Sequence, residues 1–257
     1  MPYALTAALI TAALFVGALV LLETGRRIGV RRAVRDPEVT AGLGAVDGAV
    51  FGLMGLLIAF TFSGAASRFD TRRQLIVEEA NHIGTAYLRV DLLPASAQPA
   101  LRESFRRYVD SRLAVYRKLP DVAAAQRELA TNTQLQKEIW SQAVSACRAT
   151  ESPATTTLMI SALNAMIDIT TTRTMAGQMH PPPVIFVMLI GLALASALLA
   201  GYAMAAGKTR SWLHMVGFAA IMALAVYVIL DLEYPRLGFI RVDAFDQALV
   251  ELRQSMN

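Results

Sequence analysis

Four long stretches without a charged side chain constrain the fold of this chain more than any other feature of its sequence. They lie at residues 1–22, 48–67, 184–207 and 211–230. Because an α-helix rises about 1.5 Å per residue, about 20 apolar residues are enough to cross the hydrocarbon core of a bilayer. One such stretch could be a buried helix of a soluble protein, but four of them predict a membrane protein with four transmembrane helices.

The composition of the 257 residues agrees with this prediction and excludes several classes of protein. Hydrophobic residues make up 55% and charged residues 17%, compared with about 45–50% and about 25% in soluble domains. The first stretch lacks the basic residues that begin a secretory signal peptide, so we expect it to be retained as a helix. The net charge of +4 is too small to indicate a nucleic-acid-binding protein. The single cysteine, Cys147, cannot form an intrachain disulfide and is expected to be a packing residue.

The segment between the second and third stretches differs from them because it is rich in charged residues. Its apolar residues recur at steps of three and four, which is typical of amphipathic helices. We therefore expect an all-α protein with a helical soluble region inserted between spans two and three, made of four helices, the first continuous with span two or closely following it. The expected regions are residues 1–67 with spans one and two and a short basic loop, 68–180 with the soluble helices, 181–230 with a hairpin of spans three and four, and 231–257 with an amphipathic tail docked on the soluble helices.

The basic residues do not decide which side of the membrane the soluble region faces. The two short loops on one side carry seven lysines and arginines, and the span ends on the other side carry six. The positive-inside rule needs a larger difference, so the orientation stays open. The seven are Arg26, Arg27, Arg31, Arg32, Arg35, Lys208 and Arg210, and the six are Arg68, Arg72, Arg73, Arg173, Arg236 and Arg241.

Span two carries a continuous stripe of small residues at steps of three or four. Lipid gives no hydrophobic drive for helix association, so small residues are used where two helix backbones approach closely. We expect this stripe to assemble a homo-oligomer, and packing against the chain's own first or third span is the alternative. The members of the stripe are Gly44, Gly48, Gly52, Gly55, Ala59, Ser63 and Ala66.

A second stripe lies beside the first on the same helix and is the candidate pore lining. Its acidic member, Asp47, has two interpretations. A carboxylate within a span is costly and suggests an ion pathway, but at the end of the charge-free run Asp47 could instead cap the helix. The complete candidate lining is Asp47, Phe51, Met54, Ile58 and Phe62, of which Phe51, Ile58 and Phe62 would form an apolar constriction.

A polar cluster follows span two. Glu78, Glu79 and His82 are spaced so that they can share a helix face. Glu-x-x-His is half of a di-iron carboxylate motif, but the chain has no second copy. A salt-bridged or solvated helix face is therefore the favoured interpretation, and we expect no metal site.

A second polar cluster, Asn164, Asp168 and Arg173, precedes span three. We interpret it as polar groups at the membrane boundary, and Arg173 could pair with an acid on another helix. The chain has no glycine-rich phosphate loop, no nucleophile elbow and no paired histidines. We therefore expect no enzymatic activity and no cofactor.

Three stretches of the sequence resemble a bestrophin-like family of bacterial multi-pass membrane proteins. They are GLLIAFTFSGAASRFDTRRQLIVEEANHIGTAYLR, LNAMIDITTTRTMAGQMHPPP and LDLEYPRLGFIRV. The resemblance implies a location in the bacterial inner membrane and a remote similarity to bestrophins, which are pentameric ion channels with a pore lined by the second span and helices in the cytosol. The chain has no acidic cluster that resembles the bestrophin calcium clasp, so no calcium site is carried over.

These observations predict a passive channel for inorganic ions, assembled in the lipid bilayer as a homo-oligomer, with a pentameric ring implied by the resemblance. A ring of carboxylates from Asp47 would favour cations, and an apolar constriction can gate by dewetting. The alternative is a non-conducting membrane scaffold or sensor whose soluble helices bind a partner. A secondary transporter is a weaker interpretation, because the chain has no internal repeat and no interrupted helix.

Overall fold

The structure, a computed structural model, describes residues 3–35, 43–206 and 210–256. These residues form eight α-helices and no strand, so the all-α prediction is confirmed. Three short 3-10 turns, at Arg89–Leu92, Met204–Ala206 and Asp243–Asp246, lie between helices. The helices are α1 (Tyr3–Arg35), α2 (Leu43–Leu88), α3 (Gln98–Arg117), α4 (Val122–Arg148), α5 (Pro153–Gln178), α6 (Pro183–Ala203), α7 (Trp212–Glu233) and α8 (Gln247–Ser255).

Four helical segments are long and apolar enough to cross a membrane, as the sequence predicts. They are Tyr3–Arg32, Gly44–Leu92, Pro153–Ala203 and Trp212–Glu233. Large apolar side chains are exposed on them, and Leu213 is 82% accessible. An apolar surface of this extent is unfavourable in water but suits contact with lipid.

The chain divides into two compact units. The first unit consists of Met1–Ser67 and His180–Phe239. In it α1 packs along α6 and also contacts α7, and α6 and α7 contact each other. The buried residues of this unit are mostly small or aliphatic, and Ala18, Ala197 and Ala219 belong to one cluster between these helices.

The second unit consists of Arg68–Met179 and Ile240–Asn257. Asp121 caps α4 by accepting the N–H of Ala124 at 2.9 Å, and Ser152 caps α5, which has Pro153 in its first turn. Both caps begin helices that bury a large apolar core. This core contains the end of α2 together with α3, α4, α5 and α8 through Ile83, Phe105, Tyr108, Ile139, Cys147, Leu163, Met166 and Leu249.

Two predictions about packing are confirmed in this unit. Cys147 is buried in the core as a free cysteine. The amphipathic tail also docks on the soluble helices, because its apolar residues Leu249 and Met256 are fully buried in the same core. The tail is further held by hydrogen bonds from Tyr87 Oη and Arg106 Nε to the carbonyl oxygen of Met256, at 3.2 and 2.7 Å.

Candidate functional site

The small-residue stripe of α2 is uncovered within the chain. A Cβ atom placed on Gly44, Gly48, Gly52 or Gly55 would meet no atom within 4 Å. The alternative in which these glycines pack against the chain's own first or third span is therefore wrong for the part of the chain that the structure describes. Ala59 and Ser63, which continue the stripe, are exposed as well.

The close helix contact of the first unit lies between α1 and α6. A Cβ atom on Gly25 would overlap the carbonyl oxygen of Leu198, and one on Gly201 would overlap the carbonyl oxygen of Leu22. The sequence carries a signal for this contact in Gly25-x-x-x-Gly29 and Ala197-x-x-x-Gly201. It was missed because arginines separate the first pair of glycines and made this region look like a loop, whereas α1 continues to Arg35.

The residues of the second stripe of α2 differ in how far the rest of the chain covers them. Met54 is 1% accessible, and Phe51 makes an edge-to-face contact with Phe218 of α7, with ring centroids 6.5 Å apart. Ile58 is half-buried, whereas Phe62 is 46% accessible. Phe51 and Met54 therefore contact the chain's own helices, Ile58 is covered to a similar degree as Phe51, and Phe62 is the exposed member of the stripe.

Asp47 is a helical residue and not a cap. α2 begins at Leu43, so Asp47 lies beyond the first turn, which contains no acidic residue. The cap interpretation is therefore wrong, because an N-cap precedes the first helical residue. The side chain of Asp47 is half-buried and accepts no hydrogen bond from another described residue. The helix thus carries a carboxylate without a partner within the described chain on an otherwise apolar segment.

An ionic network at the centre of the second unit contains two of the predicted polar residues. Glu79 and Arg173 form an ion pair between α2 and α5, as the sequence suggested for Arg173. Arg112 of α3 binds the other oxygen of the Glu79 carboxylate. Asp246 lies 3.2 Å from Arg173. The network therefore joins α2, α3, α5 and the residue that precedes α8.

Tyr116 completes this network. Its ring lies 4.0 Å from the guanidinium of Arg173, and its hydroxyl accepts a hydrogen bond from Arg112 Nη2 at 2.7 Å. Burial opposes the charge of Arg112, but Tyr116 and Glu79 outweigh it and raise the pKa of Arg112. Glu79, Arg112 and Arg173 are buried, Tyr116 and Asp246 are half-buried, and together these groups hold helices in place.

The other members of the two polar clusters are not part of this network. Glu78, Asn164 and Asp168 are exposed, and His82 is half-buried. Glu79 cannot act as a metal ligand beside His82, because both of its oxygens bind arginines. Within the described residues, no group of three His, Cys, Asp or Glu side chains is placed to hold a metal. Sequence reasoning missed Arg112 and Asp246, whose partners are distant in the chain.

A pair of buried acids, which the sequence analysis did not single out, lies at the end of α7. Asp231 accepts the N–H of Phe239 with both carboxylate oxygens at 3.0 Å. A Cβ atom on Gly238 would overlap this carboxylate, so the turn requires glycine. Glu233 lies 3.4 Å from His180 Nδ1. The sequence signal for this site is the pair of acids that shortly precedes Pro235 and Gly238. The contacts of these acids shape the turn that follows α7.

Comparisons with known proteins identify a family for this chain and solved structures that share its fold. A family model described as Bestrophin-like domain matches residues 9–244. Solved structures of a bacterial bestrophin homologue from Klebsiella pneumoniae share the fold. One, a variant with a tryptophan replaced by alanine, has a TM-score of 0.68 at 16% identity and covers 96% of this chain and 97% of that chain. Another, solved by zinc phasing, has a TM-score of 0.66 at 16% identity and covers 93% and 97%. No curated protein matches the chain.

Proposed function

The chain belongs to the bestrophin-like family, and from that premise we propose that it assembles into an oligomeric, passive ion channel whose pore is lined by α2. The observation that carries the proposal is the uncovered face of this helix. Only 11% of the residues in its apolar window are buried inside the chain, compared with 22–28% for the other three candidate spans. A span with so little cover from its own chain is suited to contact other subunits on one side and a pore on the other.

The small-residue stripe supports assembly through α2. Gly44, Gly48, Gly52 and Gly55 have open space where a side chain would be, and a row of glycines lets a second helix approach closely in lipid. We propose that copies of α2 pack against each other along this row and form a ring, with five subunits as the family resemblance implies. The ring would lie in the inner membrane, with the second unit outside the bilayer.

The pore in this proposal is lined by one side of α2. Asp47 would form a ring of carboxylates near one mouth, which favours cations. Ile58 and Phe62 would form the apolar constriction, because Phe62 is exposed and Ile58 lies one turn before it on the same stripe. Phe51 and Met54, which also belong to the stripe, would support the pore wall from behind through their contacts within the chain.

Current recordings on purified protein in planar bilayers test the pore. We expect unitary currents with a cation preference that falls in Asp47→Asn and is unchanged in Glu78→Gln, which removes an exposed carboxylate from the same helix. Phe62→Ala should increase conductance or open time, because it widens the constriction. Phe60→Ala is the matched control, since Phe60 is 68% accessible and lies on another face of α2.

Silent bilayers would count against the channel. If correctly assembled protein carrying both Ile58→Ala and Phe62→Ala conducts no ions, then the scaffold or sensor is the better assignment. Its soluble helices would then present the groove lined by Asn81, Thr85, Glu251 and Ser255 to a partner.

The oligomer is tested independently of conduction. Gly48→Leu with Gly52→Leu should reduce the size of the particle in detergent to that of a single chain while helicity is retained. An unchanged particle size in the folded variant would mean that another surface holds the subunits together.

A further inference from the structure

Five arginines gather at one end of the first unit. Arg26, Arg27, Arg31 and Arg32 lie on the last turns of α1, and Arg210 lies just before α7. Glu23 connects the two places, because its carboxylate lies 2.5 Å from Arg210 Nη2 and 2.7 Å from Arg27 Nε. We call these five residues the arginine cluster.

The arginine cluster has a large excess of positive charge. Five arginines and the single carboxylate of Glu23 give a net charge of +4, which equals the net charge of the whole chain. A guanidinium has five N–H donors, and Glu23 engages only one nitrogen each of Arg26, Arg27 and Arg210. Arg31 and Arg32 are exposed and form no ion pair with another described residue. Most of the hydrogen-bonding capacity of the cluster is therefore available to an anion.

Exposed apolar side chains lie directly beside these charges. Trp212 is 54% accessible, and the guanidinium of Arg210 lies over its ring at 4.2 Å from the centroid. Leu213 is 82% accessible, and Ile28, between the arginines of α1, is 43% accessible. Tryptophan is enriched where the headgroups of a bilayer meet its hydrocarbon core, and arginine side chains extend from apolar surface toward charged groups.

We propose that the arginine cluster binds the headgroups of anionic phospholipids. The ligand that fits must present a phosphate group to the guanidinium donors and hydrocarbon to Trp212, Leu213 and Ile28 at the same time. A phospholipid has both parts in this arrangement, and guanidinium groups bind phosphate oxygens through paired hydrogen bonds. A nucleic acid or a soluble anion would leave the apolar part of this surface without a partner.

Fluorescence quenching by brominated lipids tests the proposal at the site itself. The chain has two tryptophans, so Trp140→Phe leaves Trp212 as the only tryptophan in the full-length protein. This protein is reconstituted into phosphatidylcholine vesicles with a minor fraction of lipid brominated on its acyl chains. We expect brominated phosphatidylglycerol to quench Trp212 more strongly than brominated phosphatidylcholine at the same fraction, and high salt to reduce the difference.

Variants of the arginine cluster test whether its charges cause the preference for phosphatidylglycerol. In the Trp140→Phe background, Arg31→Gln with Arg32→Gln should lower the association constant for phosphatidylglycerol relative to phosphatidylcholine by about fivefold for each arginine. Arg31→Lys with Arg32→Lys should retain most of the preference because the charge stays. Arg127→Gln with Lys137→Gln, which removes two exposed charges from α4, should change nothing.

Two results would overturn the proposal. One is equal quenching by the two brominated lipids in the protein with an intact cluster, a measurement that needs no cluster variant to fold. The other is an undiminished preference in the folded glutamine variant. Because no current is recorded, either result leaves the proposed channel function untouched.

Discussion

The two units of this protein are stabilised by different kinds of packing. Ten of the twelve largest fully buried side chains among the described residues belong to the second unit, and Phe105, Tyr108 and Met166 are examples. Of the sixteen buried hydrophobic residues that the structure describes in the first unit, eight are alanines. Large side chains give the greatest gain when apolar surface leaves water. Inside lipid that gain is absent, so close approach of helix backbones takes its place.

The units also differ in where they hold charge. In the second unit Glu79 and Arg112 are completely buried at the centre of the core. In the first unit the arginine cluster and its partner Glu23 lie on the last part of α1 and just before α7, and Asp231 and Glu233 lie at the end of α7. Apolar surface alone therefore does not identify a core, because among the described residues most of the exposed large apolar side chains belong to the first unit and most of the largest buried ones belong to the second.

The largest effect is expected where two backbones touch in the first unit. Gly201→Leu places a side chain where the carbonyl oxygen of Leu22 lies, so α1 and α6 cannot pack and we expect almost no folded protein in detergent. Gly48→Leu is the control, since a Cβ atom on Gly48 meets nothing within 4 Å. The yield of monodisperse protein and its helicity after purification measure both. Equal yields of folded protein from the two variants would contradict the close contact of α1 and α6.

A smaller but still large effect is expected in the ionic core of the second unit. Glu79→Gln leaves the buried guanidinium of Arg112 without a carboxylate, and removing one partner of a buried ion pair costs about 3–5 kcal/mol. We expect the midpoint of chemical denaturation of the second unit to fall accordingly. The neighbouring Glu78→Gln removes an exposed carboxylate and should change stability by less than about 0.5 kcal/mol. If Glu79→Gln and Glu78→Gln unfold at the same denaturant concentration, the buried ion pair does not stabilise the second unit.

The smallest effect is expected at the edge of the second unit and depends on pH. Lys118, which forms an ion pair with Glu128, and Ser111, which donates a hydrogen bond to it at 2.6 Å, lower the pKa of Glu128. A carboxyl group with a lowered folded-state pKa stabilises the fold above its ordinary pKa of about 4.3 and loses this contribution as the pH falls below that value. Because such pairs are partly screened by solvent, Glu128→Gln should cost less than about 1 kcal/mol at pH 7.

Denaturation curves of wild type and Glu128→Gln, recorded between neutral pH and about pH 3, measure this contribution. The two stabilities should converge at the acidic end. A difference that grows as the pH falls would mean that Glu128 acts through packing and not through its charge.

Much of the fold follows from local properties of the sequence. The four candidate spans were predicted from charge-free runs, because the hydropathy of about 20 consecutive residues depends on nothing outside the run. The docking of the amphipathic tail was also predicted, because helical spacing alone puts its apolar residues, including Leu249 and Met256, on one face. The sequence suggested that Arg173 could pair with an acid on another helix, but it did not identify the acid.

Other features depend on residues that are far apart in the chain. Glu79 is 33 residues from Arg112 and 94 from Arg173, and no spacing rule links such positions. Arg72 and Arg173 are two of the six basic residues near span ends that nearly balance the seven in the short loops. Both are buried, and Arg72 donates hydrogen bonds to the carbonyl oxygens of Ala176 and Met179. Their guanidinium groups therefore bind partners inside the protein.

The sequence by itself determined that this is an all-α protein with four candidate membrane spans, and that α2 carries a stripe of small residues. Only the tertiary structure decided which small residues are in contact. Gly25 and Gly201 lie against backbone atoms of another helix, whereas Gly48 and Gly52 meet open space. The physical reason is that the spacing of glycines in the sequence is the same whether or not another helix lies against them. Whether a neighbouring helix covers it depends on how the whole chain packs.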